Sequence, residues 1–235
     1  AIWHAYDRPS PDHANAEFIL LLSAHLESGH YFNPHAQRII EGKMAGAKLA
    51  VMDPRLSNTA SMADYWLPIR PGTESVALLG MDRTFLDEGL YDESFLKRLV
   101  NWEVYIKEAH PELPRTFEAF IQATLEDYER FTPEYAADEC GLDVEMLKEV
   151  ARRIGRAGHR FAAHIWRGPA SAHLGGWQVA RCLHLLSVLV GAIGTEGGTA
   201  PNAWSKYRPE FFDNPPAPEV LNEIHFPLEY PLSHY

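Results

Sequence analysis

A chain of 235 residues with a formal net charge of −11 is long enough to bury one or two substantial cores, and its charge has the wrong sign for a nucleic-acid surface. Apolar residues make up 46% and charged residues 23%, the balance of an ordinary soluble globular protein. Two cysteines, Cys140 and Cys182, exclude a disulfide framework and a four-cysteine cluster site.

Residues 1–16, polar and punctuated by Pro9 and Pro11, predict an irregular lead-in. The run EFILLLS at 17–23 predicts a buried parallel strand. Asn33 and Pro34 fit the N-cap and first turn of a helix reaching about Ala45. Ile39, Ile40 and Met44 should face inward there, with Gly46 as the stop. Residues 47–52 predict a second strand, completing a βαβ unit. After a loop comes a short apolar run at 65–69, and then a helix from Thr73 or Glu74. Thr73 is placed to cap the first-turn amides, and the expected inner stripe is Val76, Leu79, Phe85 and Leu86.

Residues 92–102 predict a further helix, Pro111 and Pro114 mark a connector, and 115–130 and 132–140 read as helices lying on the surface. Asp143 caps an amphipathic helix over 144–154, with Met146, Leu147, Val150 and Ile154 inward and Gly155 closing it. Residues 160–166 predict a third strand, 168–176 a glycine-containing turn, and 177–192 a helix apolar enough all round to be buried. Cys182 within it reads as a small core residue. The most apolar stretch, 182–193, is interrupted by His184 and is shorter than the ~20 residues of a membrane span, so direct membrane insertion is not expected. No secretory signal pattern opens the chain.

These elements predict an α/β fold: a doubly wound, mostly parallel sheet with helices on both faces. The expected organisation is a lead-in over 1–16, the α/β domain over 17–198, and a return segment over 199–235 that carries seven prolines. That tail should cross the surface of another domain. A chain that starts at Ala1 and ends in such a tail has the look of an excised piece.

In an open α/β sheet, ligands bind outside the carboxyl ends of the strands. Three strand ends would converge there: Ser23-Ala24-His25-Leu26-Glu27-Ser28, Asp53-Pro54-Arg55 and Trp166-Arg167-Gly168-Pro169. Asp53 suits ribose hydroxyls, since a carboxylate accepts from two neighbouring hydroxyls; the alternative is an Asx turn ahead of Pro54. Glu74, after the rigid Pro71-Gly72-Thr73 approach, can accept two adjacent N–H donors; the alternative is plain compensation of the helix dipole. No G-x-G-x-x-G supports an ordinary NAD or FAD site, and no P-loop, H-E-x-x-H or G-x-S-x-G is present. His25, His30 and His35 are spaced by five, which does not stack them on one helical face, so they read as structural or surface histidines and no metal ligand is assigned.

The string Asp53-Pro54-Arg55, Thr59-Ala60, Ala63-Asp64-Tyr65-Trp66-Leu67-Pro68-Ile69-Arg70, Pro71-Gly72-Thr73-Glu74 resembles the molybdopterin oxidoreductases of the dimethyl sulfoxide reductase family. The resemblance implies the α/β domain of a catalytic subunit that holds one of two molybdopterin guanine dinucleotides (MGD, together bis-MGD), carrying molybdenum or tungsten. It implies guanine recognition at Glu74, where the family more usually has Asp, and ribose contact at Asp53. Arg55, Arg70, Gly72 and Thr73 come with the same stretch. Ser23, His25 and Glu27 occupy the first-strand loop, where the family often has Gly-x-Asn. Gly168 and His173 resemble the family's glycine-rich loop near the pterin. A [4Fe–4S] cluster, the metal-ligand residue and any twin-arginine signal would lie upstream of this chain, so the compartment stays open. The partners implied are the remaining domains of the subunit, iron–sulfur electron-transfer subunits and membrane-anchor subunits. Two alternatives stand beside this: a non-catalytic relative serving as a structural subunit of a respiratory complex, and a generic nucleotide-binding module.

Overall fold

The computed structural model describes residues 10–24, 26 and 35–200. Within these, Pro11–Ala200 form one compact unit. Residues 1–9 of the lead-in expected over 1–16, the Asn33-Pro34 helix start, and residues 201–235 of the return segment expected over 199–235 lie outside the described residues.

Unit Pro11–Ala200 is built on four parallel strands in the order β4-β3-β2-β5. The central strand, β2 (Phe18–Leu22), is buried at every position, because helices cover both faces and alternation is lost. It pairs in parallel with β3 (Lys48–Met52), Phe18 opposite Lys48, and with β5 (Phe161–Ile165), Phe18 opposite Phe161. A third pairing sets β4 (Tyr65–Leu67) beside β3, with Met52 opposite Leu67. Two-residue strands β1 (Ser10–Pro11) and β6 (Thr199–Ala200) lie at the margins.

The order makes the sheet doubly wound. Strands β2, β3 and β4 step one way through α1 (His35–Met44) and α2 (Asn58–Ser61); the chain then returns to lay β5 on the other side of β2. Alternate side chains of β2 feed two cores. Ile19 and Leu21 pack with Ile39 of α1, Ala60 of α2 and Val51. Phe18, Leu20 and Leu22 pack with the larger layer of α3 (Glu74–Glu88), α8 (Val144–Ala157) and α10 (Gly176–Leu189).

Several helix expectations need correction. In α1 only Ile39 and Gly42 are buried; Ile40 and Met44 face solvent. A Cβ at Gly42 would sit 2.3 Å from the His13 carbonyl oxygen, so the segment before β2 crosses α1 where a side chain is missing. The inner stripe of α3 is Ala77, Leu78, Met81 and Phe85 rather than one including Val76 and Leu79. The helix expected over 92–102 is two, α4 (Glu93–Leu99) and α5 (Trp102–Ala109), each with its own N-cap residue, Asp92 and Asn101.

Of the two helices expected on the surface, α6 (Phe117–Asp127) is partly exposed, but α7 (Pro133–Cys140) packs on α3. A Cβ on Gly80 would come 2.5 Å from that of Ala136, so glycine lets the two backbones approach closely. Helix α8 runs through Gly155 to Ala157 because Leu90 fills the space a side chain would need. Its Met146 is outward, while Leu147, Val150 and Ile154 are buried. The turn expected from Gly168 contains a short helix, α9 (Arg167–Ser171). Helix α10 is not buried all round: Trp177 is 52% exposed, and Cys182 is half-buried, its thiol pushed up to about 12 by burial and by the neighbouring Asp82. No described helix is long and apolar enough to cross a membrane.

Candidate functional site

The carboxyl ends of the strands carry the polar residues. After β2 the chain turns at Ser23, whose amide donates to the Met52 carbonyl at 2.9 Å. Ser23 has φ 45°, and every other described residue with positive φ is a glycine. A side chain held in this region costs on the order of 1–3 kcal/mol, so the conformation is imposed by the surroundings. His25 and Glu27 lie outside the described residues.

After β3 comes Asp53, 9% exposed. Its amide donates to the Leu67 carbonyl at 3.1 Å, continuing the ladder with β4 for one residue. The Asp53 Oδ1 accepts from the Arg55 amide at 2.9 Å, so the Asx turn is present. That turn occupies one oxygen and leaves the carboxylate's remaining acceptor capacity. The backbone carbonyl of Asp53 accepts from the Trp66 indole at 2.9 Å. The side chain of Arg55 is exposed, and Ser57 caps α2 by accepting from the Ala60 amide at 3.2 Å.

After β4 the chain enters α3 through Arg70–Glu74. Gly72 has φ 89°, a conformation open to glycine without strain. Its amide donates to Glu74 Oε2 at 2.9 Å, and Glu74 is only 3% exposed. Thr73 does not cap the helix, contrary to expectation; its hydroxyl donates to the Arg70 carbonyl at 2.8 Å. Arg70 turns to the end of α7, where Nη1 donates to the carbonyls of Asp138 (2.8 Å) and Glu139 (3.0 Å). Its guanidinium therefore serves a helix C-terminus.

Asp64, inside the same string, sits at the opposite end of β4. It pairs with Lys43 at 2.7 Å and Lys48 at 2.9 Å and accepts from the Leu49 amide. That acid ties α1, β3 and β4 together. After β5, Gly168 lies in α9 and His173 in the following turn, both exposed. In chain order, Ser23 follows β2, Asp53 follows β3, Glu74 opens α3 after β4, and Gly168 and His173 follow β5.

Another cluster escaped the sequence reading. His13, His35 and His164, from the segment before β2, the start of α1 and the end of β5, converge with ligand nitrogens within 4.8 Å of one another. One signal was legible: His164 is the polar residue in the otherwise apolar strand Phe-Ala-Ala-His-Ile.

Parallel strands that reverse direction of growth at β2, with acids at their tips, define a doubly wound α/β domain of the kind that binds ligands at its carboxyl edge. No family model matches the chain. It is 34% identical over 172 residues to the arsenate respiratory reductase molybdopterin-containing subunit ArrA of Chrysiogenes arsenatis, a match covering 70% of this chain and 20% of that protein. It is 30% identical to the dimethyl sulfoxide reductase DmsA of Escherichia coli, over 66% of this chain and 19% of the relative. The F420-dependent formate dehydrogenase subunit alpha of Methanocaldococcus jannaschii is 31% identical over 69% of this chain and 21% of its own length. Among solved structures, acetylene hydratase from Pelobacter acetylenicus shares the fold with a TM-score of 0.66 at 23% identity, over 82% of this chain and 24% of that one. The chain belongs to the dimethyl sulfoxide reductase family of molybdopterin oxidoreductases. It spans about a fifth of the length of the curated relatives it matches.

Proposed function

We propose that this chain is the part of a molybdenum or tungsten oxidoreductase catalytic subunit that holds one MGD of a bis-MGD cofactor. Guanine lies against Glu74 and the ribose against Asp53. The observation that carries this reading is the pair of nearly buried carboxylates standing after adjacent parallel strands. The donor set fits the group. The Watson–Crick edge of guanine presents two N–H donors, and the ribose presents two hydroxyls. Each carboxylate here spends one oxygen on a local amide and keeps acceptor capacity beyond it.

When bound, MGD supplies the metal centre for two-electron chemistry. The chain's share is binding and orientation. Glu74 selects the base, Asp53 fixes the sugar, and Ser23, held in a left-handed conformation after β2, is the first-strand contact. Gly168 and His173 approach from the fourth strand. No residue of this chain is assigned a catalytic role, and the isolated chain should be inactive. The whole protein would add a [4Fe–4S] cluster from a region preceding this one, and would work with iron–sulfur and membrane-anchor subunits.

The local engagement of both carboxylates favours one second reading, a non-catalytic relative that keeps the fold as a scaffold. Calorimetric titration of the full chain with GMP and AMP separates the two. The cofactor reading expects a guanine preference that falls about tenfold or more in Glu74→Gln, since hydrogen bonds to a charged group contribute about 1.5–3 kcal/mol. Equal affinity for the two nucleotides, or an unchanged Glu74→Gln, overturns it. No binding of either nucleotide favours the scaffold.

A further inference from the structure

The geometry points to a divalent transition-metal site, of the zinc type, formed by His13, His35 and His164. This site is separate from the strand-tip carboxylates and does not rest on the cofactor reading.

The three residues come from segments far apart in sequence, so the fold and not a local repeat assembles them. His13 and His164 stack with ring centroids 5.6 Å apart and 14° between planes. His35 stands edge-on to both, at 4.6 Å from His164 and 5.3 Å from His13. All three offer a ring nitrogen within a 4.8 Å triangle. A tetrahedral zinc ion with Zn–N bonds of about 2.0–2.1 Å sets its ligand nitrogens about 3.3 Å apart. The rings therefore have to draw inward by about 1 Å each, a shift within reach of small side-chain rotations.

Burial strengthens the case. His13 is 1% exposed and His164 9%, on the face of the sheet where Ile19, Leu21, Leu49, Ile39 and Ala162 form an apolar core. The ligand set is three nitrogens, with no thiolate and no carboxylate among the described residues within the cluster. That composition selects zinc, cobalt, nickel or copper over magnesium or calcium. Three protein ligands leave a further coordination position for water or another group. Bound there, the ion would pin the segment before β2 to the start of α1 and the end of β5.

The test uses the full chain, stripped with a chelator and then titrated with Zn2+ and with Co2+. Cobalt reports geometry through its visible absorption. The expected result is one equivalent bound, intense bands of low-coordinate cobalt, and a rise in melting temperature with zinc. Because the chain holds 12 histidines, specificity is read from variants. Each of His13→Gln, His35→Gln and His164→Gln should weaken binding by about tenfold or more, with circular dichroism confirming the fold. Should His164→Gln unfold, the His13 and His35 variants decide alone. Stoichiometric binding that survives the variants overturns the assignment, as does the absence of binding at micromolar zinc. The GMP titration is a separate readout, so failure of one site leaves the other standing.

Discussion

The indole Nε1–H of Trp66 donates to the backbone carbonyl of Asp53 at 2.9 Å, so a side chain of the edge strand β4 grips the tip of its neighbour β3. This contact holds the acid proposed to meet the ribose. Trp66→Phe keeps an aromatic ring in place and removes the donor. We expect a loss of about 1 kcal/mol in stability, seen as a lower urea midpoint, together with a few-fold weaker GMP affinity. A stability loss with unchanged affinity would show that Asp53 does not depend on this grip.

Arg70 makes the contrasting prediction. Its guanidinium is committed to the carbonyls of Asp138 and Glu139, and the backbone amide of Arg70 donates to the Cys140 carbonyl at 2.9 Å. Arg70→Ala should lower stability by about 1–2 kcal/mol by leaving the end of α7 without its donor. Guanine preference should persist. Lysine should restore only part of the loss, because a single ammonium does not reproduce the planar fork. A selective fall in GMP affinity without destabilisation would place Arg70 at the nucleotide instead.

Strands buried on both faces were the most legible part of the sequence. FILLL at β2 and LAVM at 49–52 within β3 are continuous apolar runs bounded by polar residues. Strand β4 read only as a short apolar run because it has three residues and draws its identity from pairing with β3. Glycine misled in both directions. Gly46 does end α1, with φ 108°, whereas Gly155 lies inside α8 because distant Leu90 packs against it; sequence shows the missing side chain but not what occupies its space. The outward turn of Ile40 and Met44 has a similar origin, since α1 contacts the sheet along a stripe only as wide as Ile39 and Gly42. Within the site, the order of acids along 53–74 was readable. So was the Asx turn at Asp53, given as the alternative there; the Gly72 amide that engages Glu74 was not, because that bond depends on turn geometry. The histidine cluster was hidden for a third reason: its members meet only after β5 is laid beside β2.

Ser23 carries a stability cost that can be measured directly. Its φ of 45° is a region that glycine visits without a Cβ penalty. Ser23→Gly should therefore stabilise the chain by roughly 1 kcal/mol, raising the thermal midpoint. Ser23→Val should do the reverse, since branching at Cβ worsens the crowding. If glycine gives no gain, the hydrogen-bonded turn around the Ser23 amide carries the conformation without strain.

Asp82 yields a pH prediction whose sign is fixed by its environment. It lies on the inner face of α3, 3% exposed, and neither carboxyl oxygen has a hydrogen-bond partner among the described residues. Burial alone pushes its pKa well above the ordinary carboxylate range. The titratable groups beside it, Tyr128 and Cys182, are themselves held neutral by burial. In the unfolded chain Asp82 ionises near pH ~3.9. Above that pH the folded state keeps a proton that the unfolded state has released, so this group makes stability fall as pH rises, by at most about 1.4 kcal/mol per pH unit. The fall stops once pH passes the raised folded value. Asp82→Asn, neutral at every pH, should remove that component, so the variant gains on the wild type progressively from about pH 4 upward. Asp82→Leu should be more stable still at neutral pH, since it also removes a buried polar group worth about 1–3 kcal/mol when unsatisfied. Urea denaturation of the three proteins at a series of pH values reads the slopes directly, and parallel curves for wild type and Asp82→Asn would mean that Asp82 is ionised and partnered in the folded protein.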